Sequence, residues 1–190
     1  MLTSDLTAAT LLGAGIALVG QALAFGGIIL NNVLTRRREH AKADLERGER
    51  SRALQREAVA EVIKAGKIYF RAADAMTIVL AGYSDQIAVA NHSQTEVVGR
   101  ALADFDLAIA RADLVVMDRE VRQFLEGELG QANELIGERF GEMMSAPRTS
   151  KGLANPEAFG RATGTIKRLV SRLQEMAQVA RTRLVIESDV

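Results

Sequence analysis

Hydrophobic and polar positions give this chain three successive textures. From Thr7 to Thr35 no residue is charged: the run TAATLLGAGIALVGQALAFGGIILNNVLT ends abruptly at Arg36-Arg37-Arg38. From Arg36 to Arg56 charges of both signs alternate, as on a solvated helix. Beyond that, apolar residues return at spacings of three and four, the period of helices with one buried face.

A bilayer core about 30 Å thick needs about 20 apolar helical residues, so the first texture predicts a transmembrane helix at 7–35. Ala22-Leu23-Ala24 imitates a signal-peptide cleavage site. No basic residue precedes the run, however, and the run continues past it, which predicts an uncleaved anchor. Eight Lys and Arg lie between Arg36 and Glu57 and none before Thr7. The positive-inside rule then predicts a single-pass cell-membrane protein with residues 1–6 outside and the C-terminal domain cytoplasmic. On this reading Arg36, Arg37 and Arg38 set topology and meet lipid headgroups.

Small residues recur inside the run at Thr10, Gly13, Ala17, Gly20, Ala24 and Gly27, and Asn31 continues the series with Gln21 beside it. Small stripes and polar side chains let helices associate in lipid, so the sequence predicts a self-association face and a homo-oligomer. The series continues through Leu34, Arg38, Ala41, Leu45, Gly48, Arg52, Gln55, Val59, Val62, Gly66, Tyr69, Ala73, Met76 and Leu80, apolar but for Arg38 up to Leu45 and again from Val59, but not through Gly48, Arg52 and Gln55. One helix is therefore expected to pass from the anchor through a charged, coiled-coil-like neck at 36–58 into a packed domain at 59–190.

Within that domain Gly82 breaks the first helix. Ser93 and Glu96 resemble a capping box opening a second helix, which buries Val98, Ala101, Phe105, Ala108, Ile109, Ala112 and Val115. Asp118 caps a third, read as continuous to Met143 despite Gly127, Gly130, Gly137 and Gly141. Asn155-Pro156-Glu157 opens a fourth, with a stripe from Phe159 to Leu184 expected to end near Glu187. The fold class expected is all-α: a transmembrane helix continuing into an antiparallel four-helix bundle. Acidic residues crowd the third helix and basic ones the fourth, so those two are expected to pair.

Composition narrows the chemistry. Lys plus Arg equal Asp plus Glu at 24 each, so no net field draws in nucleic acid, which is not expected as a partner. There is no cysteine, and the two histidines, His40 and His92, are far apart. Neither completes the Glu-x-x-His pattern of a di-metal bundle, and no phosphate-binding loop is present. The chain is expected to be no enzyme, with no catalytic residues, cofactor or metal.

The segment TRRREHAKADLERGERSRALQREAVAEVIKA, following an apolar anchor and preceding a helical domain, resembles small single-pass membrane proteins of actinobacteria. That resemblance implies an anchored helical layout and no particular activity. The function expected is a membrane-anchored interaction or scaffold protein, touching membrane lipid and a cytoplasmic protein partner. The alternatives are a membrane-active or transfer-associated component of a phage or plasmid, and a ligand-binding bundle.

Overall fold

The computed structural model describes residues 3–82, 92–150 and 152–184, with backbone alone for 3–33. The described residues are all-helical: α1 (Thr3–Gly82), α2 (Ser93–Val115), α3 (Arg119–Glu126), α4 (Ala132–Ser145) and α5 (Pro156–Arg183). The chain divides into two compact units, Met1–Arg50 and Ser51–Val190.

In the first unit the described side chains are exposed almost throughout; Leu34 is 45% and Leu45 69% accessible. Ion pairs Arg47–Asp44 and Arg50–Glu46 follow the helix surface at 3.5 and 3.9 Å, each contributing a few tenths of a kcal/mol. Among the described residues no helix is long and apolar enough to cross a membrane. Where the side chains of α1 are described, a charged residue recurs at least every fourth position from Arg36 to Asp74, which leaves no apolar window of spanning length there. This corrects the expected transmembrane helix, and with it the single-pass membrane localisation, its outside N-terminus and the cytoplasmic assignment. Arg36, Arg37 and Arg38 are exposed positions of α1. The side chains of Thr10, Gly13, Ala17, Gly20, Gln21, Ala24, Gly27 and Asn31 lie outside the described residues.

The second unit is a helical bundle. From Gln55 onward the three-four series of α1 is the buried face: Val59, Val62, Tyr69, Ala73, Met76 and Leu80 are all at most 5% exposed. Gly66 belongs to the same face for a steric reason. A Cβ there would stand 2.9 Å from Leu173 Cδ2 and 3.0 Å from Phe105 Cε2, so only a hydrogen lets α2 and α5 approach α1 this closely. Beside it Tyr69, Phe70 and Phe105 form a closed aromatic trio with centroids 5.5–5.6 Å apart, a geometry contributing about 0.5–1.5 kcal/mol per pair beyond area burial.

The third expected helix is two. Asp118 caps α3 as anticipated, its Oδ1 accepting from the Glu120 and Val121 amides at 3.0 Å each. The helix stops at Glu126, and the chain turns tightly before α4. A Cβ on Gly130 would lie 2.3 Å from the Leu125 carbonyl oxygen, and one on Gly127 2.8 Å from that of Gln123. These two glycines therefore make the turn, whereas Gly137 and Gly141 sit in open space within α4.

Two other ends differ in detail. His92, not Ser93, is the N-cap of α2, its Nδ1 accepting from the Gln94 amide at 3.1 Å; a ring nitrogen does the work of the usual hydroxyl. Asn155 caps α5 as expected, accepting at 2.9 Å from Glu157. In the loop before it, Arg148 donates to the carbonyls of Leu80 and Gly152 at 3.1 and 3.0 Å, and the Ala154 amide donates to Ala81. Terminal carbonyls of α1 that no helical amide can reach are satisfied by this loop.

Candidate functional site: a basic groove between α1 and α5

α5 carries its buried stripe (Ala158, Ala162, Ile166, Leu169, Leu173, Met176, Ala180) down one side, leaving a charged flank on each edge of that stripe. One flank meets α3 and α4. There Arg161 pairs with Glu142 at 3.2 Å, Arg168 and Arg172 with Glu128 at 3.4 and 3.7 Å, and Arg183 with Glu120. The start of α5 lies by the end of α4, and its end by the start of α3, so the seam is antiparallel. Glu142 is held below the ordinary carboxylate range by hydrogen bonds from Arg139 and then Arg161. Charge complementarity read from the sequence is realised in these pairs.

The other flank meets α1 and is different. Two adjoining cavities, about 790 and 590 Å³, share Ile63, Lys67, Ala177 and Arg181 and together make one trough. Its floor is apolar: Ile63, Val170 and Ala177 are half-buried there, over the buried Val59, Phe70 and Leu173. Its walls carry Arg56, Lys64, Lys67 and Arg71 from α1 and Lys167 and Arg181 from α5, against the single acid Asp74. All six cations are exposed. None takes part in an ion pair among the described residues. The nearby acid Glu61 is turned away, 3.6 Å from Arg111 of α2. Every cation on the α3–α4 side named above has a carboxylate partner, and every one on the α1 side lacks it.

A cavity of about 410 Å³ between α1 and α2 shares Lys67 and Arg71 with the groove, and two other hollows are occupied by the fold's own chemistry. A hollow of about 290 Å³ gathers Arg139, Arg161 and Arg168, yet each is committed to Glu142 or Glu128. Another of about 310 Å³ lies at the α3–α4 turn, where Arg172 is held by Glu128 and Glu175. Among the described residues no group of three or more His, Asp or Glu could hold a metal ion. Among the described residues the one strongly perturbed titratable group, Tyr69, has its pKa raised to about 12 by burial and then by the charge of Asp106. At 1% exposure it is sealed in the aromatic core, so the shift reports packing.

Sequence reasoning located the charges of α5 but gave them all to the acidic helix. The signal it lacked was angular: Lys167 and Arg181 lie fourteen residues apart on the edge facing α1, where the acids of α3 and α4 do not reach. No protein-family model, curated protein or solved structure matches this chain.

Proposed function

We propose that this protein is a helical interaction or scaffold protein that receives a protein partner in the α1–α5 groove. The observation that supports the reading is the coincidence of an apolar floor with six exposed, unpaired cations. A bundle that only needed to fold would gain nothing from gathering like charges there, and like charges repel. Apolar anchors within a charged rim are what protein interfaces use for affinity and for choice of partner.

Site-specific photo-crosslinking in cells tests this. A photoreactive residue in place of Ile63 or Gln178, at the groove, is expected to trap a discrete protein adduct. The same residue in place of Leu107 on α2, exposed at 51%, serves as the reference. Equal trapping at both places, or at neither, overturns the proposal. Adding Lys67→Glu is expected to abolish the groove adduct.

A further inference from the structure

The groove has a length and a charge distribution, and together they restrict what fits. Its lining runs along α1 from Arg56 to Asp74, eighteen residue steps, or about 27 Å at 1.5 Å per residue. Cations stand along its whole length. Arg56 and Arg181 line the section nearest Leu184, Lys67 belongs to both cavities, and Arg71 and Lys167 line the section nearest Asp74.

A small amphiphile with one anionic head wants its cations gathered at one end of an apolar slot, and these are spread. A nucleic-acid strand wants the cations but also exposed aromatic faces for its bases. The one aromatic in the lining, Phe70, is 1% exposed and locked against Tyr69 and Phe105. An apolar strip flanked throughout by positive charge is instead the complement of a helix with an apolar stripe and acidic edges.

We propose that the groove is the receptor for an acidic amphipathic helix of a partner protein, about 18 residues long. Apolar side chains of that helix at i, i+3, i+4 and i+7 enter between Ile63 and Ala177. Its Asp and Glu side chains pair with Lys67, Arg71, Lys167 and Arg181. The inference rests on the reading of this groove as a protein-docking surface and adds the chemistry of what docks.

The test is a selection against the full chain, using displayed 18-residue helical peptides. Their apolar register is randomised, and their charged positions are drawn from Glu, Gln and Lys. Recovered peptides are expected to favour Glu over Lys at least tenfold and to hold the i, i+3, i+4, i+7 stripe. Their affinity for K67E/R181E is expected to fall at least tenfold, with the melting temperature of the variant unchanged. Exchanging Glu for Lys in a recovered peptide is expected to restore binding to K67E/R181E. No recovered peptide, no preference for Glu, or affinity indifferent to the double variant overturns the proposal. So does a 20-nucleotide single strand that binds the same residues more tightly than the best peptide, which makes the groove a nucleic-acid site. Groove crosslinks in cells without acidic peptides in the selection leave the docking surface standing and remove the acidic helix. Absence of both removes the docking surface as well.

Discussion

The two edges of α5 carry the same kind of residue to opposite ends. Toward α3 and α4, Arg161, Arg168, Arg172 and Arg183 meet Glu142, Glu128 and Glu120, and the charges are consumed within the bundle. Toward α1, Lys167 and Arg181 meet Lys67, Arg71 and Arg56 across an apolar trough. A seam where charge is cancelled is explained by folding alone. A seam where like charge accumulates over buried carbon is not, and the proposed partner is the reading offered for it. The comparison is open to attack by substitutions whose effects descend in size.

The largest effect belongs to the residue both edges depend on. Leu173 is 2% exposed, forms part of the groove floor and faces Gly66. Leu173→Ala removes buried carbon and leaves a void, costing about 2–5 kcal/mol. In urea unfolding both edges should be lost in one transition, with the melting temperature lowered by about 2–4 °C per kcal/mol. A cost under about 1 kcal/mol means that the groove floor is not part of the core. The converse test, Gly66→Val, puts carbon where Leu173 and Phe105 already stand, and should destabilise by overpacking, about 1–3 kcal/mol.

pH separates the shared core from the ion-paired seam. The folded-state pKa of Tyr69, about 12, lies above its ordinary 10.0, so the fold disfavours the phenolate. Stability from this residue is complete below pH 10 and is lost as pH rises toward 12, by on the order of 3 kcal/mol. Arginines keep their charge throughout that window. Tyr69→Phe should flatten the alkaline limb of a stability–pH curve and leave the acid limb alone; an unchanged alkaline limb shows that the hydroxyl is not buried against charge.

How much of this was written in the chain can be judged from particular positions. The buried face of α1 follows from the three-four series because a helix presents every third and fourth residue on one side. Asp118 and Asn155 announced their helix ends because short polar side chains at the first turn have one job. The α3–α4 break did not show, since Gly127 and Gly130 resemble Gly137 and Gly141 in composition. What distinguishes them is proximity to the carbonyls of Gln123 and Leu125, which exists only once the turn is made. The groove was illegible for a related reason. Its cations come from Arg56–Arg71 and Lys167–Arg181, nearly a hundred residues apart, and their isolation depends on which acids α2, α3 and α4 carry away. The uncharged run at 7–35, plainest in the sequence, led to an anchor that no described helix supplies.

The seam should respond in acid, and modestly. Glu142 sits below the ordinary glutamate range because Arg139 and Arg161 hold it. Its contribution is therefore present above about pH 4.3 and lost as pH falls through its lowered folded value. Glu142→Gln should remove part of the acid limb. Glu128→Gln, which strips Arg168 and Arg172 of a shared partner, should cost about 1 kcal/mol at neutral pH, and less as salt is raised.

The smallest expected effect decides the comparison. Lys67→Ala and Arg181→Ala remove exposed cations with no carboxylate beside them, so stability should move by less than about 0.5 kcal/mol. Its sign should be favourable at low ionic strength, where relief of repulsion across the trough is least screened. The double variant should gain less than the two singles added together, because the repulsion between Lys67 and Arg181 is relieved by either single variant and can be relieved only once. Chemical unfolding at low and high salt measures both points. If either single variant instead destabilises as much as Glu128→Gln does, the groove cations are holding the bundle together. The two edges of α5 would then be alike, and the groove would have no charge left over for a partner.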